Sequence, residues 1–133
     1  MLISEAFASF QAKQKNIQWS VSAFNLSNEL VLSLWDHFFE KREKETMTYS
    51  DRVSRWSGAG NNEFRRNIDT AFQNNLVVRA IIAKSKKPEV IIAGGAGNNL
   101  GNTFSPKENW IGKVTIWDGD KFEIQFRDKY LGA

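Results

Sequence analysis

The run Arg55-Trp56, followed by Asn61, Arg65 and Arg66, gathers three kinds of side chain that together suit a nucleic-acid partner. A guanidinium holds phosphate through two parallel N–H bonds or lies flat on a base, an indole stacks on a base, and a carboxamide reads a base edge. The same stretch is the cationic part of the chain. From Arg52 to Lys87 there are eight basic residues (Arg52, Arg55, Arg65, Arg66, Arg79, Lys84, Lys86 and Lys87) against Glu63 and Asp69. That local excess of +6 lies in a chain of net charge +3, so the remaining residues are net acidic. Five of the eight are arginine, where lysine would serve solubility equally well. The expected ligand is therefore anionic, with Arg55, Arg65, Arg66, Arg79, Lys84, Lys86 and Lys87 on backbone phosphates and Trp56 and Asn61 at the bases. The plainer reading of these residues is a solvated charged face, and the two differ in whether the side chains converge on one surface.

The aromatic residues carry the second signal. Ten phenylalanines fall mostly on expected core faces, whereas the five tryptophans do not all find an interior position. Trp19 and Trp35 are expected on one hairpin, and Trp56 lies in a polar loop between arginines. Trp110 and Trp117 bracket a strand at an odd separation that would put them on opposite faces. At least one indole is then accessible, and Trp19, Trp35, Trp56 and Trp110 are the candidates for base stacking. The bland alternative for Trp56 is a plug at the open end of a barrel. Asn61, Asn62 and Asn67, with Asn98, Asn99 and Asn102, form two amide clusters that serve as caps and turns first and as base readers second.

Little catalytic chemistry is available. With no cysteine and one histidine, disulfides, thiolate zinc sites, iron–sulfur clusters, cysteine nucleophiles and multi-histidine metal centres are excluded. There is no Gly-x-Ser-x-Gly elbow, no His-Glu-x-x-His and no Gly-Lys-Ser/Thr loop. His37, beside Asp36 at an expected strand end, reads as a hydrogen bonder. Asp118, Asp120 and Glu123 lie on a hairpin in which Gln125 stands where a metal-dependent nuclease would carry lysine, and turn aspartates set turn geometry. Residues 94–102 contain Gly95-Ala96-Gly97 but no helical pattern follows, so they read as a loop and not as a dinucleotide cradle. No catalytic residue, metal or cofactor is expected, with a nuclease using Asp118, Asp120 or Glu123 kept as an alternative. The longest apolar run, residues 76–83, is broken by Arg79, and the first ten residues carry Glu5 and no basic stretch. A cytoplasmic, soluble protein without membrane contact is the expectation.

These side chains need elements to position them. Leu2, Ile3, Ala6, Phe7 and Phe10 fit one face of a helix over residues 2–15. Residues 19–23 and 30–38 form a hairpin around the turn Asn25-Leu26-Ser27-Asn28, residues 40–45 an exposed connection, and residues 46–50 a short edge strand. Asn61 or Asn62 caps a helix with Phe64, Ile68, Ala71 and Phe72 on one face, ending at Asn74-Asn75. Residues 76–83 make a central strand and residues 89–93 another. Residues 110–117 and 121–127 flank Asp118-Gly119 in a type I′ hairpin. The expected fold is one α+β domain: a small, strongly curved or barrel-like, mainly antiparallel sheet of five to seven strands with two covering helices.

Taken in order, Trp19-Ser20-Val21-Ser22, the strand at residues 31–35, the helix start Gly60-Asn61-Asn62-Glu63, the strand at residues 77–83 and Trp110-Ile111-Gly112 with the Asp118-Gly119 hairpin resemble a small PUA-like barrel. That superfamily includes the EVE and ASCH domains and related modified-base readers. The resemblance runs over most of the chain in element order and implies a pocket for nucleic acid or a modified nucleotide, lined by aromatic and polar side chains between strands and a covering helix. The glycine-rich residues 94–101 have no counterpart in that pattern. The expected function is a non-catalytic binding module for DNA or RNA. An inhibitor that docks on another protein, of the kind found in mobile elements or defence systems, is the alternative.

Overall fold

The computed structural model describes residues 1–41, 46–94 and 101–129. The elements run α1 (Ile3–Ala8), β1 (Ser22–Phe24), β2 (Leu30–Trp35), β3 (Phe39–Lys41), β4 (Thr46–Arg52), α2 (Ala59–Gln73), β5 (Val78–Lys84), α3 (Pro88–Ile92), β6 (Thr103–Pro106), β7 (Trp110–Trp117) and β8 (Lys121–Asp128). Single 3-10 turns cover Asp36–Phe38 and Val53–Arg55. The fold is α+β, as the alternating periodicities require. Among the described residues the sheet has eight strands, not five to seven, in the order β1-β2-β5-β7-β8-β4-β3, with β6 also on β5. It is mixed, since β2 and β5 are parallel and the other pairs antiparallel. It does not close into a barrel, because β1 and β3 end the path unpaired with each other. The sheet nevertheless curls strongly: the Trp35 N–H at the end of β2 donates to the Tyr49 hydroxyl on β4 at 3.4 Å, although β5, β7 and β8 lie between those strands.

Alternation on the strands builds the main core. Leu30, Leu32 and Leu34 of β2, Val78, Ala80 and Ile82 of β5, and Phe122, Ile124 and Phe126 of β8 point inward and meet Phe64, Ile68 and Ala71 of α2. The intervening residues of the central pair, Val31 and Ile81, are also fully buried, under Phe7 and Phe10 of the N-terminal segment. Strands buried on both faces read as continuous apolar runs, which is the character of a parallel pair and of Leu30-Val31-Leu32 here.

Four sequence expectations change. The first helix stops at Ala8, because Gln11 adopts φ of 61° and the chain turns to bridge Ala12 to Asn25. Residues 89–92 belong to a helix that Ala93 ends: Pro88 occupies its first turn beside Glu89, and the β-branched Val90, Ile91 and Ile92 are overridden by that start. Residues 46–50 are not an edge, since β4 pairs with both β3 and β8. The final hairpin is not type I′: Gly119 has φ of 96° but Asp120 is not among the residues of positive φ, and type I′ needs both. Asp118 closes that turn by accepting from the N–H groups of Asp120 and Lys121. Among the described residues no helix is long and apolar enough to cross a membrane.

Gly112 faces Phe126 across β7 and β8, and a Cβ there would lie 2.4 Å from the ring of that fully buried residue. Gly112→Ala is expected to lower the unfolding free energy by about 1–3 kcal/mol in denaturant titration, through overpacking of the inner face.

Candidate functional site

Three short anchors set the tryptophans. Trp19 stands in a turn closed by Ser20 N–H donating to the Asn16 carbonyl at 2.9 Å. Trp35 ends β2. Trp56 follows the 3-10 turn after β4, and that turn is pinned from the far hairpin: Val53 N–H donates to the Asp120 carbonyl at 2.9 Å and Ser54 N–H to the Asp120 carboxylate at 3.0 Å. Next in the chain, α2 begins at Ala59 with Gly58 as its cap, at φ of 112°, so neither Asn61 nor Asn62 is the capping residue. Asn61 is buried in the first turn, where its Nδ2 donates to the Val53 carbonyl at 2.8 Å and its Oδ1 accepts from Arg65 Nε at 2.6 Å. The chain Arg65–Asn61–Val53 ties the helix to the turn that presents Trp56.

The result is a cleft of about 800 Å³ lined by Trp19, Trp35 and Trp56, with Tyr49, Phe64 and Phe122 among its apolar wall and Gln14, Ser33 and Asn102 among its polar one. That volume is of the order that holds a drug-sized or nucleotide-sized ligand. The indoles are half-buried, so each keeps surface for a ligand. Trp56 packs on Phe64 at 5.7 Å, Phe64 on Phe122 at 5.3 Å and Phe122 on Tyr49 at 5.9 Å, which fixes the aromatic wall. Burial pushes the Tyr49 phenol far above its usual range, so it is a neutral hydroxyl. The fourth stacking candidate, Trp110, lies elsewhere, packed on Phe39 and Phe126. A bulge between Val114 and Ile116 on β7 puts Trp117 on the same face as Trp110, not on the opposite one, because one extra residue reverses the alternation.

The basic block does not act as one set. Arg55 lines the cleft, but its guanidinium grips the Asp51 carboxylate at 2.7 to 3.0 Å, donates to the Ile91 carbonyl at 2.7 Å and lies over the Phe38 ring. Arg79 lies on the opposite face of the sheet, over Phe10, where it donates to the carbonyls of Trp110 and Glu108 and approaches Glu29 at 3.4 Å. Arg65, Arg66, Lys84, Lys86 and Lys87 are exposed. Of these, Lys86 lays its stem against Gly101 on the cleft rim, and Arg65 and Arg66 project from α2. Of the second amide cluster, Asn102 lines the cleft and Asn98 and Asn99 lie outside the described residues.

The alternative catalytic carboxylates have structural partners. Asp118 closes its turn, Asp120 binds Arg52 at 3.0 Å and the Ser54 N–H, and Glu123 accepts from Thr115 at 2.7 Å. These backbone and side-chain donors hold the Asp118 and Asp120 carboxyls below their usual pKa. Among the described residues no group of three His, Asp or Glu is placed to hold a metal ion. His37 packs between Trp35 and Phe38, and its imidazole is held below 6.5 first by burial and then by the Arg55 charge. Gln14 was not singled out by sequence; a polar residue in an expected helix carries no signal that it lies in the cleft wall.

No protein-family model matches this chain, and no curated protein or solved structure does either.

Two outcomes follow from this geometry. Arg55→Met leaves the Asp51 carboxylate buried without its partner, so chemical denaturation should show a loss of about 3 kcal/mol, far beyond the change of about 0.5 kcal/mol or less expected for exposed Arg66→Ala. Because the folded state holds His37 below its unfolded pKa of 6.5, the unfolded chain takes up a proton first as pH falls. Melting temperature should therefore decline as pH drops below 6.5, well above the window in which the aspartates protonate, and His37→Gln should remove that component.

Proposed function

We propose that this protein is a non-catalytic nucleic-acid-binding module, for DNA or RNA, that receives one base or modified base in the aromatic cleft. The observation that carries the reading is the convergence of Trp19, Trp35 and Trp56, from three separate elements, on one cavity of about 800 Å³. Every base has a π-face, and stacking on an aromatic side chain contributes about 1–3 kcal/mol per base. The exposed Arg65, Arg66, Lys84, Lys86 and Lys87 supply the long-range attraction for phosphate, while Arg55 and Asn61 hold the turn that carries Trp56. The module acts in the cytoplasm.

Fluorescence anisotropy with labelled single-stranded DNA and RNA tests this. Binding is expected at low salt, with a log–log salt slope of roughly −2 to −5 for about three to five neutralised phosphates. Trp56→Ala should weaken it about tenfold or more, and Arg65→Glu with Arg66→Glu should flatten the slope. Failure to bind either nucleic acid at low salt, or affinity indifferent to salt, would overturn the reading.

A further inference from the structure

We propose that the cleft selects a base with an exocyclic amino group beside a ring nitrogen, the edge shared by adenine and cytosine, and that Gln14 receives the amino N–H. The inference rests on the reading of the cleft as a base site. Gln14 is 8% exposed and forms part of the cleft wall. Its carboxamide has only one chemically sensible orientation: Nε2 donates to the Ser20 carbonyl at 2.7 Å, and a carbonyl oxygen can only accept. Oε1 is therefore the other end of the group, and among the described residues it has no hydrogen-bond partner. A buried acceptor left without a donor is costly, and nearly all such groups in folded proteins are satisfied. On the wall of an aromatic cleft, the group complementary to it is a ligand N–H.

Donors line the same cleft as this acceptor. The first turn of α2 lines the cleft at Gly58, Ala59 and Gly60, Gly58 contributes no side-chain cap, and the turn holds no acidic residue. Helical geometry leaves the N–H groups of Ala59, Gly60 and Asn61 without an intrahelical acceptor, since the first such bond runs from Asn62 to the Gly58 carbonyl. Gly60 abuts the Trp19 carbonyl, and Gln14 binds that of Ser20, so acceptor and donors flank the same Trp19-Ser20 segment. An amino group next to a ring nitrogen offers a donor and an acceptor side by side, which is the complement of that pair. Uracil and thymine also offer an N–H beside an acceptor oxygen, but a second carbonyl oxygen flanks that N–H on its other side and comes to lie beside Oε1. Guanine's Watson–Crick edge sets two adjacent donors where the helix also donates, and its amino group meets an acceptor nitrogen only on the edge beside the sugar.

The test uses short oligothymidylates with a single central test base: adenine, its 6-deaminated counterpart purine, cytosine, its 4-deaminated counterpart pyrimidin-2-one, or thymine. Deleting the amino group from the ligand leaves the protein untouched. The adenine or the cytosine oligomer should bind about tenfold more tightly than its deaminated counterpart and than all-thymine. Gln14→Met, which removes the acceptor together with the Nε2 bond to Ser20, should bring the amino and deaminated oligomers to equal affinity, whatever their common affinity becomes. Equal affinity for amino and deaminated centres would overturn the selection and leave a base site that reads only by stacking. Absence of binding to every oligomer, DNA or RNA, would remove the base site and this inference with it.

Discussion

The absence of a side chain at residue 60 governs the geometry of the cleft. A Cβ there would lie 2.5 Å from the Trp19 carbonyl and 3.8 Å from the Trp56 ring, so only glycine lets the first turn of α2 wedge between the two segments that carry these indoles. With that wedge in place, the polar start of a 15-residue helix opens into an aromatic cavity and is not capped by its own side chains. Asn61, one residue on, converts the close approach into a fixed one through its bond to the Val53 carbonyl. The site is thus assembled at a junction of three chain segments, none of which holds the geometry alone.

Charge has two separate tasks in this molecule. Arg55 and Arg79, the two half-buried members of the basic block from Arg52 to Lys87, organise structure: each side chain bridges distant segments and lies on an aromatic ring. A buried ion pair adds little net stability against an apolar replacement, but it is specific in direction, and the Arg55 fork orients β4 and α3 on the same side of the cleft. On the proposed function the exposed cations, Arg65 among them beside its bond to Asn61, supply long-range attraction, which depends on their field more than on any single contact.

Local signals explain which parts of the fold were legible. The β1–β2 turn was visible because Asn25 accepts from Ser27 and Glu29 within the same few residues, and α2 because Phe64, Ile68 and Ala71 repeat at helical spacing. The parallel union of β2 and β5, the bulge on β7 and the strand β6 were not, since each is decided by partners far along the chain. The same limit applies to the site. Trp56 was marked by its polar, arginine-flanked setting, yet its meeting with Trp19 and Trp35 is a tertiary event. Arg79 looked like a phosphate ligand because its partners, the carbonyls of Glu108 and Trp110, are main-chain groups that leave no trace in composition. Gln14 was silent for a similar reason: what distinguishes it is the orphan oxygen left when Nε2 bonds to Ser20.

On the proposed function three indoles form one ligand surface while the other two serve the core. Nuclear magnetic resonance of the tryptophan Nε1–H signals reads all five at once during titration with a single-stranded oligonucleotide. The resonances of Trp19, Trp35 and Trp56 are expected to shift together along one saturation curve, with Trp110 and Trp117, the latter held by Asp69 at 3.0 Å, nearly unmoved. Shifts confined to Trp110 or Trp117, or saturation with no change at the three cleft indoles, would contradict it.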